Sequence, residues 1–281
     1  MKLGNLAQRL LFAAFAIPVF LWALWNGGWP RWIQLGFVLA VASWEASRLV
    51  RYKFHGSSRV TEFVVPVGVL AFAFLGDGGP FAFLDAALPL VGVLILLFLV
   101  LKGFRERSRE DAFVWIAMQG FAFGFFALSA RAIFSMASWH VTAGAQGWTS
   151  AAPLLWVAMA CWAGDTGAYA AGKLFGKRKL CPELSPAKTV EGGVGALVWA
   201  VGLSLYWAPR YLDWSIPAIV AMGLAMAVCG ILGDLLESSV KRWAGVKDSS
   251  QIFPGHGGAF DRFDSLFLAA PLLWALLELT N

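Results

Sequence analysis

Carboxylates, cations and glycines crowd into one stretch of this chain. Gly233-Asp234-Leu-Leu-Glu237-Ser238-Ser239-Val-Lys241-Arg242 is followed by Lys247-Asp248, by Pro254-Gly255-His256-Gly257-Gly258 and by Asp261-Arg262-Phe263-Asp264. Read as a helix end, a loop and the start of the next helix, the spacing sets Asp234, Glu237 or Ser238, and Lys241 on one face. Asp261 and Asp264, three apart, share another. A loop with carboxylates at both ends, four cations (Lys241, Arg242, Lys247, Arg262) and a glycine turn suits a polyanion with a metal. A merely solvated loop needs neither the turn nor carboxylates held at helix ends. Hard oxygen donors without paired His or Cys suit Mg²⁺, which favours carboxylates and substrate phosphates. Asp234 on one helix and Asp261 with Asp264 on the next could hold one or two ions, and two would clamp an in-line displacement at phosphorus. Lys188, Lys241, Arg242, Lys247 and Arg262 could offset the remaining phosphate charge, Arg by its bidentate fork.

No Ser-His-Asp arrangement can be placed, and His256 is the sole histidine of the region. A nucleophile that is already an anion, such as a phosphate monoester, needs no strong general base. Catalysis then rests on positioning and charge neutralisation. His256 serves equally well as a structural hydrogen bonder or as a phosphate contact.

Two earlier stretches are weaker signals. Asp165, Tyr169 and Lys173 recur at i, i+4 and i+8 and so line one helix face, either as a packing stripe or as part of a site. Gly167 to Lys173 approaches a P-loop, but Leu174 stands where Ser or Thr must hold magnesium and no strand precedes it. The P-loop reading fails. Ser185-Pro-Ala-Lys188-Thr189-Val-Glu191-Gly-Gly193 predicts a tight turn whose amides, hydroxyl and cation could meet a phosphate, or a plain loop leading into the next helix. In the first half Glu45 is the main ionisable residue within a span, and it reads as a helix-end carboxylate near Arg48.

The elements that must position these residues are set by the solvent. Hydrophobic residues make up 59% of 281 and charged ones 14%, with mean hydropathy +0.68; an ordinary soluble domain is about 25% charged. Apolar runs near the ~20 residues that cross hydrocarbon recur throughout. The expected fold is all-α and polytopic, with about nine transmembrane helices: 8–25, 30–50, 60–76, 81–101, 112–131, 152–172, 192–212, 215–236 and 265–280. The first lacks a small-residue cleavage site and reads as a retained helix. With these spans, nineteen of the 22 Lys and Arg fall on one side, leaving Arg31, Arg131 and Arg210 on the other. The basic side is cytoplasmic, and so is the N-terminus. A basic rim facing anionic lipid accounts for the net charge of +5 without nucleic acid. The cysteines (Cys161, Cys181, Cys229) lack metal-like spacing and read as reduced thiols. Residues 1–150 read as an N-terminal transmembrane scaffold and 151–281 as the catalytic transmembrane region.

At its polar loop the chain resembles the phosphatidate cytidylyltransferase (CDP-diacylglycerol synthase) family. The family's Ser, Lys-Arg, Lys-Asp, Pro-x-His-Gly-Gly and Asp-Arg-x-Asp signature is met at Ser238, Lys241-Arg242, Lys247-Asp248, Pro254 to Gly258 and Asp261 to Asp264, 27 residues in register. The Gly164-Asp165-Thr-Gly-Ala-Tyr169 and Ser185 to Gly192 stretches are similar too, so the likeness covers about residues 160–280. Ala259 and Val190 replace a larger aliphatic and a Trp, which touches packing rather than chemistry.

The resemblance implies Mg²⁺-dependent transfer from CTP to phosphatidic acid in a bacterial inner membrane, with the site on the cytoplasmic side and room for a homodimer. It implies Asp234 and Asp261 as metal ligands, Asp264 as a further one, and Lys188 and Arg262 as catalytic cations. Substrate contacts would come from Lys188, Thr189, Ser238, Lys241, Arg242, Lys247, His256 and Asp165. A CTP-dependent lipid kinase is the nearest alternative. A transporter is less suited, because the polar residues crowd one loop system in one half of the chain.

Overall fold

The computed structural model describes residues 5–54, 59–76, 79–139, 147–253, 255 and 257–280. Among these residues the chain forms nine α-helices: α1 (Asn5–Asn26), α2 (Gly28–Lys53), α3 (Thr61–Leu75), α4 (Leu88–Glu106), α5 (Arg109–Ala137), α6 (Ala152–Phe175), α7 (Val190–Trp207), α8 (Ile216–Trp243) and α9 (Phe260–Thr280). The nine apolar stretches expected from the sequence coincide with these helices, with ends displaced by up to seven residues. One feature departs from the all-helical expectation. Residues between α6 and α7 form a hairpin, β1 (Lys179–Cys181) with β2 (Ser185–Thr189), antiparallel with Lys179 opposite Thr189 and Cys181 opposite Ser185.

Among the described residues five elements are long and apolar enough to cross a membrane: Gly28–Lys53, Ala82–Glu106, Arg109–Ala137, Val190–Arg210 and Ile216–Trp243. Helix α4 makes the physical case most clearly. It presents Leu90, Val93, Leu94, Leu97 and Leu101 outward, each at least half exposed. A contiguous apolar surface of that kind is unfavourable in water and natural against lipid. Helices α6 and α9 are long but more polar, since α6 carries Asp165 and Lys173 and α9 opens with Asp261, Arg262 and Asp264.

The chain divides into two compact units, one of residues 1–150 and 240–262, the other of 151–239 and 263–281. In the first, α2, α3 and α5 pack around Leu39, Leu49, Val65, Val69, Trp115 and Phe126, all essentially buried. Ser108 caps α5 by accepting from the Asp111 amide at 3.3 Å, with Glu110 and Asp111 in the positive first turn. Several polar side chains held inside this unit find partners, as a low dielectric favours. Gln119 donates to the Ser47 carbonyl at 3.3 Å, and buried Arg31 donates to the Leu24 and Ala137 carbonyls and to Ser150 Oγ.

In the second unit, small residues bring helices into backbone contact. A Cβ on Gly167 of α6 would lie 2.5 Å from the Gly195 carbonyl oxygen of α7, and one on Gly195 would lie 2.6 Å from the Ala171 Cβ. Interhelical contact without hydrophobic driving force depends on such close approach. The same device joins α8 to α9: a Cβ on Gly233 would lie 2.7 Å from the Asp264 carbonyl oxygen and 3.0 Å from the Ser265 Cα. Ser265 Oγ completes that contact by donating to the Gly230 carbonyl at 3.3 Å.

Candidate active site

The close approach at Gly233 has a chemical consequence. Asp234 follows Gly233 directly, so the helix contact that admits α9 also brings Asp264 towards it. Glu237, one turn further along α8, joins them: one carboxylate oxygen from each of Asp234, Glu237 and Asp264 lies within 4.8 Å of the others. Glu237 is buried at 2% exposure, while Asp234 keeps its side chain partly open. Three carboxylates this close repel one another unless a cation sits among them or beside them. One cation is present, because Lys188 Nζ lies 2.5 Å from Asp234 Oδ2. Ser238 Oγ reaches Asp234 Oδ1 at 3.5 Å, and the Ser265 amide donates to Asp264 Oδ1 at 2.7 Å. The donor set is all oxygen and anionic, which fits a divalent cation of the Mg²⁺ type.

Lys188 reaches Asp234 from a strand, not from the predicted tight turn. Thr189 ends β2 and caps α7, its Oγ1 accepting from the Gly192 amide at 3.1 Å. Glu191 accepts from the Lys177 amide at 3.0 Å and the Arg178 amide at 3.2 Å, closing the base of the hairpin. These bonds fix the strand that carries Lys188. Beside it opens a cavity of about 450 Å³, walled by α6, α7, α8 and the hairpin. Asp165, Tyr169, Lys173, Lys188, Thr189 and Asp234 give it its polar lining, so the i, i+4, i+8 face of α6 is a cavity wall and not a packing stripe.

Geometry at Gly233 yields a direct test. Gly233→Ala places a methyl group against backbone that cannot swing aside, so Asp264 must move relative to Asp234. A misplacement of order 1 Å costs about 100-fold in rate. Turnover should fall by that order, while Gly202→Ala, where a Cβ meets nothing within 4 Å, should leave it unchanged. Initial rates of the two purified variants make the comparison.

In the other unit, the loop from α8 to α9 is organised around Asp261. Lys241 Nζ pairs with its Oδ1 at 2.8 Å, and both side chains are largely buried. Its Oδ2 accepts from Ser249 Oγ at 2.8 Å, the Ser249 amide at 3.2 Å and the Gly258 amide at 2.8 Å. Gly257 has φ +86°, a conformation that only glycine adopts without strain. Asp261 and Asp264, three residues apart on α9, therefore have different partners: Asp264 belongs to the carboxylate group and Asp261 to the loop. Arg242, Lys247 and Arg262 are exposed, Arg242 Nη1 donating to the Val246 carbonyl at 3.2 Å. His256 and Pro254 lie outside the described residues.

Two carboxylates that matter here were not among the predicted site residues. Glu237 was visible in outline, being i+3 from Asp234. The spacing to Arg48 predicts a helix-end group at Glu45, yet Glu45 is fully buried and bonded to the 249–260 loop. Arg48 instead lies over the Trp44 ring at 4.9 Å and the Tyr52 ring at 5.1 Å. A carboxylate inside an apolar span was the only signal.

Comparison with known proteins gives these features a family. The model of the cytidylyltransferase family matches residues 7–280. A phosphatidate cytidylyltransferase of Staphylococcus aureus (strain COL) is 32% identical over 275 residues, covering 96% of this chain and 98% of that protein. Those of Haemophilus influenzae and Bacillus subtilis are each 46% identical, over 123 and 130 residues. These two matches span less than half of those relatives, 43% and 48% of their lengths, and 42% and 45% of this chain. A family match over nearly the whole chain and a relative aligned from end to end agree: the chain belongs to the cytidylyltransferase family.

Proposed function

We propose that this chain transfers the cytidylyl group of CTP to phosphatidic acid, giving CDP-diacylglycerol and pyrophosphate, at the cytoplasmic face of a bacterial inner membrane. The observation that carries the reading is the convergence of Asp234, Glu237 and Asp264 beside Lys188 at a cavity, in a cytidylyltransferase-family chain. In the reaction a phosphate oxygen of phosphatidic acid attacks the α-phosphorus of CTP. The bond from that phosphorus to the oxygen bridging to the β-phosphorus breaks, and pyrophosphate leaves with the electron pair. The nucleophile is already an anion, so no general base is required.

Asp234, Glu237 and Asp264 would hold Mg²⁺, which when bound neutralises phosphate charge and steadies the leaving oxygens. Lys188 offsets charge on the same phosphates from its place on β2. Asp165, Thr189 and Ser238 contact substrate, and His256, Lys241, Arg242, Lys247 and Arg262 meet phosphate groups. Asp261 is an essential carboxylate of the loop, and the Asp-Arg-x-Asp spacing supports a ligand role for it as well. We read all nine helices as spans with the N-terminus cytoplasmic, which the one-sided distribution of Lys and Arg supports.

Purified protein given CTP with either phosphatidic acid or diacylglycerol tests the reading. Pyrophosphate should be released with phosphatidic acid alone. Release of CDP with diacylglycerol would identify a lipid kinase instead.

A further inference from the structure

Glu45 lies in the last third of α2, 0% exposed, more than 200 residues from any of the groups that bond it. Four donors reach it, and all come from one short segment. Ser249 Oγ donates to its Oε2 at 3.0 Å, Ser250 Oγ to its Oε1, the Ala259 amide to Oε1 at 3.2 Å and the Phe260 amide to Oε2 at 2.8 Å. The two amides belong to the N-terminus of α9, whose first N–H groups have no partner within the helix. A carboxylate from α2 therefore supplies the cap that α9 lacks in its own sequence.

The same segment holds Asp261. The Ser249 hydroxyl lies between the two carboxylates, 3.0 Å from Glu45 and 2.8 Å from Asp261, its single proton shared between them, and the Gly258 amide donates to Asp261 at 2.8 Å. A Cβ at Gly258 would collide with both Ser249 Oγ and the Glu45 carboxylate. The Ser249 hydroxyl and the Glu45 carboxylate together leave no room for a side chain at Gly258. Ser250 makes a different link: it bonds Glu45 and the Ile252 amide, with no bond to Asp261 among those described.

We propose that Glu45 is a positioning residue for the reaction, orienting Asp261 through Ser249 and holding the loop between α8 and α9 from within the N-terminal half. The inference rests on the proposed cytidylyl transfer. It assigns chemistry-supporting work to a part of the chain that otherwise reads as lipid-facing scaffold.

The test compares Glu45→Gln, Ser249→Ala and Ser250→Ala with wild type, in detergent, for CDP-diacylglycerol formation and thermal unfolding. Gln keeps the volume and one acceptor, so Glu45→Gln should fold and lose roughly 10- to 100-fold in kcat, with KM for CTP within about twofold. Ser249→Ala should lose about tenfold or more in kcat, and Ser250→Ala should stay within about threefold although it removes a bond of the same kind. A purely structural Glu45 predicts that the kcat lost in Glu45→Gln only tracks its loss of thermal stability; that result would overturn the proposal. Wild-type kcat in Glu45→Gln would also overturn it while leaving the cytidylyl reading intact. Absence of product from the wild-type protein would remove that reading and the proposal together.

Discussion

Asp264→Asn is expected to lower turnover by at least about 1000-fold, equivalent to about 4 kcal/mol of transition-state stabilisation. Asn matches Asp in size and keeps one oxygen, so the contact between α8 and α9 at Gly233 survives. What is lost is one of the three negative charges that gather within 4.8 Å. A divalent cation bound there loses both a ligand oxygen and part of its neutralising field, and Asp234 is already shared with Lys188. The remaining activity should need more Mg²⁺ for half-saturation than the wild type does. A Mg²⁺ titration at saturating CTP measures this, and an unchanged Mg²⁺ requirement in an active variant would contradict the ligand assignment.

Asp261→Asn should abolish turnover while the protein still inserts and purifies normally. Each oxygen of Asp261 is met by donors: Lys241 Nζ on one, Ser249 and the Gly258 amide on the other. Replacing either oxygen with an NH₂ group sets donor against donor. On the Lys241 side it also takes the partner carboxylate from a largely buried ammonium, and breaking such a pair is far costlier than never having built it. The loop should then lose its arrangement locally, with the helices intact. Steady-state product formation together with detergent-solubilised yield measures both halves of the prediction. Full activity in a well-behaved variant would remove Asp261 from the account.

Much of this site is legible in the linear sequence because helices convert spacing into geometry. Asp165, Tyr169 and Lys173 fall on one face at intervals of four, and that face lines the cavity. Asp234 and Glu237 share a face of α8 for the same reason. Periodicity says nothing of contacts between distant segments. Glu45 illustrates this: nothing near it in sequence explains a carboxylate in an apolar span, because its partners lie in the 249–260 loop. Asp261 and Asp264 show a second limit. Their spacing makes them neighbours on α9, yet Asp261 is drawn to the amides of the preceding loop and Asp264 to the carboxylates of α8. The hairpin that carries Lys188 is short and polar, with Pro186 in its second strand, and its residues show no alternation from which pairing could be predicted.

The central claim, that the cytidylyl group itself moves onto the lipid, is tested most directly by following the base. Purified protein is incubated with phosphatidic acid, Mg²⁺ and CTP labelled in the cytosine ring, and the mixture is partitioned between water and organic solvent. Cytidylyl transfer predicts label in the lipid phase in proportion to pyrophosphate released. Label that stays wholly in the aqueous phase while CTP is consumed would contradict it.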